Sequence, residues 1–223
     1  MIRKPLFLTF AIAAAAALRL GAGGWAVVTV DTLPESGVAA APVRLLFTIR
    51  QHGHTPLDGL QPAVTAVAGK DRITAGVEPA GQPGRYVATF TFPRPADWII
   101  TVDSGFGANS RLTLLPLPVV ADAGRAPTAQ TAVGRGLRLF VAKGCVTCHQ
   151  NTLGGNTSIG AAPALVPGKH PDGLLASILL KPEAVLSGRA AQPGGMPNLG
   201  LKADEVTALV AFINNVETAA VSR

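Results

Sequence analysis

Cys145 and Cys148 are the only cysteines in the chain, and they stand in "GCVTCHQ" (144–150) with His149 directly after the second. Four chemistries use two thiols at this spacing. A disulfide between them is geometrically allowed, and export would bring the chain into an oxidising compartment. A redox dithiol of the thioredoxin kind calls for a βαβ context, which is missing here. Zinc takes about four ligands; two thiolates and His149 leave it one short, with no second cysteine pair to complete the set. Covalent haem attachment needs two thiols to meet the vinyl groups and a histidine beside the second, which C-x-x-C-H supplies.

Iron held by one histidine still has a sixth position. Apart from Met1, Met196 is the only methionine. It lies in "PGGMPNLGL", where glycines let the backbone pass close to a flat ligand and Pro197 stiffens the loop. His170, in "PGKHPDG" and 21 residues beyond His149, is a competing candidate. Imidazole with a soft thioether in a low-dielectric shell favours Fe(II). With both axial positions filled, the expected role is single-electron transfer and not catalysis. A second constellation, His52 and His54 in "RQHGHTPLDG", has the ligand type for copper, but no third soft ligand lies near it in sequence. Polar loop residues are the plainer reading of that pair.

These residues must be carried by two kinds of element. From Trp25 to about Val119 the sequence runs in short β-branched stretches with period-2 alternation: 26–31, 43–50, 63–68, 72–78, 85–92, 97–103 and 111–118. Seven such strands bounded by turn residues predict an antiparallel sandwich. Residues 121–133 are small and polar and read as a linker. Beyond them the period changes to 3.6. Helices are expected over 134–144, from 172 to Lys181 with Pro182 as the break, and over 202–217. In the last, Val206, Leu209, Val210 and Ile213 share a face, and Asp204 and Glu205 suit the dipole of its first turn.

Residues 1–24 have a basic start at Arg3 and Lys4, an apolar run to Leu18 and small residues at 21–24. That is the layout of a secretory signal peptide; an uncleaved N-terminus would instead serve as a membrane anchor. Cleavage would remove three of 19 basic residues and no acid, so the formal +6 falls to about +3. No basic run with interleaved aromatics is present, which argues against nucleic acid as a partner.

Residues 134–216 resemble a bacterial monohaem class I cytochrome c: "GLRLF", "KGCVTCH", "GAAPALV", "MPNLGL" and "ADEVTALVAFINN" stand in that family's order. The resemblance implies an all-α cytochrome c fold at 134–220 with one covalent haem c. Cys145 and Cys148 would form the thioethers, His149 would be the proximal and Met196 the distal iron ligand. Pro163 would support the histidine side, Gly136 and Phe140 would mark where the first helix crosses the last near Phe212, and Arg189 is a candidate for a propionate. Ala162 replaces the usual glycine, and Lys202 stands where a Ser or Thr N-cap is usual. Residues 25–120 more loosely resemble small periplasmic immunoglobulin-like domains of the YtkA and copper-resistance type, with Tyr86 as a tyrosine-corner residue and Trp98 as a core anchor.

The expectation is therefore an exported, periplasmic or membrane-associated electron carrier serving redox partner proteins, with respiratory or photosynthetic complexes as candidates. Two alternatives stand beside it: a haem-bearing accessory subunit that uses the sandwich for assembly, and a copper-handling protein with a haem domain. From residue 130 onward there are eight basic and five acidic residues, so Lys143, Lys169, Lys181 and Lys202 are candidates for a weakly positive docking face.

Overall fold

The computed structural model describes residues 24–107, 110–125, 130–149, 153–162, 165, 170–171, 173–187 and 195–216. The expectations for the N-terminal segment, Pro163, Lys169 and Arg189 lie outside them. Eleven strands are described in the N-terminal part: β1 Ala26–Thr32, β2 Gly37–Val38, β3 Pro42–Gln51, β4 Thr55–Pro56, β5 Ala63–Ala68, β6 Asp71–Thr74, β7 Gly76–Pro79, β8 Arg85–Thr91, β9 Ala96–Asp103, β10 Arg111–Thr113 and β11 Leu117–Val120. They form two sheets. One has the order β1-β3-β8-β7 with β4 added to β3; the other runs β2-β11-β9-β5-β6 with β10 added to β9. All pairings are antiparallel except β2 with β11.

The two faces meet through alternate residues, as period 2 requires. Leu45, Phe47 and Ile49 from β3 and Tyr86, Ala88 and Phe90 from β8 oppose Val64 and Ala66 from β5 and Trp98, Ile100 and Val102 from β9, all buried. Each such side chain contributes about 1.5–3 kcal/mol when fully buried. Trp98 is the expected anchor: it is wholly buried, its ring lies 5.2 Å from Phe92, and its Nε1–H donates to the Arg94 carbonyl at 3.3 Å. Tyr86 is a variation on the expected corner. Its hydroxyl donates to the Leu57 carbonyl (2.9 Å) and accepts from the Leu60 N–H (3.1 Å), so it ties down the β4–β5 connection, far upstream.

Two predicted single strands are each divided. The 72–78 run breaks at Ala75, and β6 and β7 go to different sheets. The 111–118 run breaks over Leu114–Pro116, with β10 and β11 pairing to opposite ends of β9. Uninterrupted alternation hides a sheet switch, because the same side chains stay buried on both sides of it.

The helical part comprises α1 Ala132–Ala142, α2 Cys145–Cys148, α3 Leu174–Leu180, α4 Pro182–Val185 and α5 Ala203–Ile213. Thr131 Oγ1 accepts from the Gly134 N–H at 3.1 Å and caps α1. Pro182 ends α3 and opens α4 at the first helical position, which a missing N–H tolerates. At the start of α5 the role of a Ser or Thr cap is filled from within: the Glu205 carboxylate reaches back to the Lys202 N–H at 3.0 Å.

The sandwich and the helices share one apolar core. The reason is visible in β1, "AVVTVDT". Val28 and Val30 face the sandwich interior, yet Val27 and Thr29 on the other face are also only 2 % exposed. The helical part lies against that outer face.

Candidate haem site

α1 and α5 cross at Gly136. A Cβ there would fall 2.6 Å from Phe212 Cβ and collide with the Ala208 carbonyl, so only glycine permits the approach. One turn on, the Phe140 ring lies 5.4 Å from Phe212 and 6.1 Å from the His149 imidazole. The crossing helices thus place a wall of aromatic carbon beside the histidine.

Gly144, at φ 78°, breaks α1 from α2. Any side chain at this position would also meet Val28 O at 2.5 Å and Val27 Cγ1 at 2.7 Å. The single turn of α2 then sets Cys145 and Cys148 on neighbouring positions of one helix face. Neither is in a disulfide. Burial pushes the Cys145 thiol up to about 12, reinforced by Cys148, and burial pushes Cys148 up to about 11. Raised values favour the neutral thiol over the thiolate, which is the reactive form.

His149 leaves the turn in extended conformation (φ −79°, ψ 134°). Its segment is pinned to 158–162: Thr147 O accepts from Ile159 N (2.9 Å), and Cys148 O accepts from Ala162 N (3.1 Å) and Ser158 Oγ (2.7 Å). His149 itself pairs with Ala162, the residue before Pro163. Met196, Leu175, Ala176 and Leu199 are half-buried and packed on the core. His170 is also half-buried.

These residues fit haem c in the chemistry of the donor set: two unpaired thiols a helical turn apart, an adjoining imidazole, a thioether, and apolar walls. The sandwich holds one orphaned polar atom. Arg50, cross-strand from Val27 on the outer face of β3, has a buried Nη1 with no hydrogen-bond partner among the described residues. Burial lowers its pKa, yet arginine stays charged.

The lysines expected on a docking face divide. Lys181 and Lys202 are exposed, whereas Lys143 is 3 % exposed. Its Nζ pairs with Glu205 Oε1 at 2.8 Å and donates to the Asp31 carbonyl at 3.1 Å. It fastens α1, α5 and β1 together, so the docking expectation is corrected at this position. His52 and His54 also take other partners. The His52 ring packs 5.1 Å from Trp25, and His54 Nε2 lies 3.4 Å from the Gly195 carbonyl. Among the described residues no group of three His, Cys, Asp or Glu gathers as a metal site.

Sequence reasoning missed Asn156. Its Oδ1 accepts from Thr113 N (2.9 Å) and its Nδ2 donates to Thr113 O (2.6 Å), extending β10 by a side chain and tying the loop after His149 to the sandwich. Nothing in "LGGNTS" signals a partner 43 residues away.

No helix among the described residues is long and apolar enough to cross a membrane. No curated protein sequence matches the chain. Solved structures similar to part of it include S-layer protein SbsC domains 4 and 5, at 19% identity over 42% of this chain and 51% of that one, with a TM-score of 0.34. Another is the Lin-41 filamin domain, at 9% identity over 44% and 93% with a TM-score of 0.31. The chain spans about half of the first of these. Residues 133–217, the helical part of this two-part chain, match the family model described as cytochrome c, a match that implies haem c.

Proposed function

We propose that the chain is an exported carrier of single electrons with one covalently attached haem. The observation that carries this reading is the pair of unpaired thiols on one turn of α2, followed by a histidine whose backbone is pinned to Ala162. Cys145 and Cys148 would hold the porphyrin and His149 and Met196 its iron, and bound haem would supply the Fe(II)/Fe(III) couple. Phe140, 6.1 Å from the His149 ring, would keep water from the histidine side of the cofactor and so favour the less charged, reduced form. Ala162, through the His149 segment, fixes the imidazole's entry. With His149 and Met196 both on the iron no coordination position would remain for a substrate, so the proposed role is carrying electrons between redox partners and not catalysis. Its N-terminal signal directs it to the compartment where haem is attached.

The test is an optical spectrum of protein matured with the haem-attachment machinery, before and after dithionite. A sharp reduced α-band and loss of the ferric methionine-to-iron charge-transfer band in Met196→Ala are expected. Absence of the α-band in the wild-type chain would sink the reading.

A further inference from the structure

The turn between β3 and β4 belongs to the sandwich, yet it reaches the loop that bears Met196. Gly53 is buried, and a Cβ added to it would stand 2.8 Å from Pro197 Cγ and 3.4 Å from Val27 Cγ2. His54, on the same turn, has Nε2 3.4 Å from the carbonyl oxygen of Gly195. A carbonyl only accepts, so the imidazole donates. The turn therefore touches the residues immediately before and after Met196.

The turn itself is held firmly. His52 N donates to Trp25 O (3.0 Å), Gly53 N to Arg50 O (3.2 Å) and His54 N to Gln51 O (3.0 Å). His52, at φ 53°, sits in the small left-handed region open to a residue with a Cβ, and Gly53 follows at φ 81°. The His52 ring against Trp25 anchors its outer side. Beyond Met196 the loop is tied by the Gly200 N–H donating to Asn198 Oδ1 (3.0 Å), and on its other side it meets the turn.

We infer that this turn of the sandwich is a clamp that holds the Met196 thioether on the haem iron, with His54 as a positioning residue and Gly53 as the close-contact wedge. The inference rests on Met196 being the distal ligand. A thioether is a weak ligand, and small nucleophiles such as imidazole compete for its position when its loop can swing away. Holding Gly195 and Pro197 against a rigid strand end raises the cost of that swing. The "HGH" sequence then serves iron at a distance and does not need copper.

The experiment uses the full-length, haem-loaded protein and titrates ferric protein with imidazole, following the methionine-to-iron band. His54→Ala is expected to bind imidazole about three- to tenfold more tightly than wild type, the range one hydrogen bond covers. It should also lose the band at lower temperature, before the far-UV signal of unfolding. His54→Gln, which can still donate, should restore most of the difference, and His52→Ala should have a smaller effect. Gly53→Ala, which drives a methyl into Pro197, should loosen the ligand more than His54→Ala. Unchanged imidazole affinity and band stability in both His54→Ala and Gly53→Ala would overturn the clamp. If the band survives in Met196→Ala, the ligand assignment beneath it is the part that fails.

Discussion

Replacing Lys143 by methionine tests the claim that the two parts are one folded unit. The Nζ lies 2.8 Å from Glu205 Oε1 and 3.1 Å from the Asp31 carbonyl, and the side chains of Lys143 and Glu205 are 4% and 8% exposed. Methionine keeps most of the volume but leaves a carboxylate with only the Lys202 N–H for a partner. Removing one member of a buried pair costs about 3–5 kcal/mol. For a chain of this size each kcal/mol is worth roughly 2–4 °C, so the midpoint should fall by about 6–20 °C. The assay is thermal unfolding of the haem-loaded chain, followed both by Trp fluorescence and by the Soret band. Lys143→Met with Glu205→Leu should recover most of the loss, because the stranded charge is then gone. A single-variant cost below about 1 kcal/mol would refute the reasoning, since it would mean the pair is solvated.

Two further outcomes are expected. Asn156→Ala leaves both the N–H and the C=O of Thr113 without their side-chain partner; a loss of about 1–3 kcal/mol in urea unfolding and faster exchange of the Thr113 amide should follow. Asp204 has a lowered pKa because the Arg135 guanidinium hydrogen-bonds its carboxylate at 2.5 Å. Its contribution is therefore present above the unfolded value of about 3.9 and is lost as pH falls through the folded one. Carbon-detected titration should show the carboxyl moving back toward its ordinary range in Arg135→Ala.

What could be read from the sequence was local. C-x-x-C-H declared itself because haem attachment fixes residue types at a fixed spacing, and α5 declared itself because Val206, Leu209 and Ile213 repeat with the helix. The junction did not. Lys143 before a glycine looks like an ordinary solvated helix end, and only Glu205 and Asp31, far away in sequence, make it a buried one. "HGH" drew attention for its ligand chemistry, whereas what it does depends on where Gly195 comes to lie. One signal was there to be used: "AVVTV" has no charge and only Thr29 as a polar residue, which fits a strand covered on both faces better than a half-exposed one. The break at Ala75 left no such trace.

Val27 is packed at once against Gly144, which precedes the first cysteine, and near Gly53, which bears on the residue after Met196. β1 of the sandwich thus covers both the approach to the first cysteine and the turn that meets the residue after Met196. A redox protein approaching from that side would meet the sandwich first, whose two sheets stack about 10 Å apart. Electron tunnelling weakens steeply with distance, so under the proposed function that side would be a poor route. Electrons would then enter and leave where β1 does not cover the helical part, and the sandwich would bias the direction of approach by position alone.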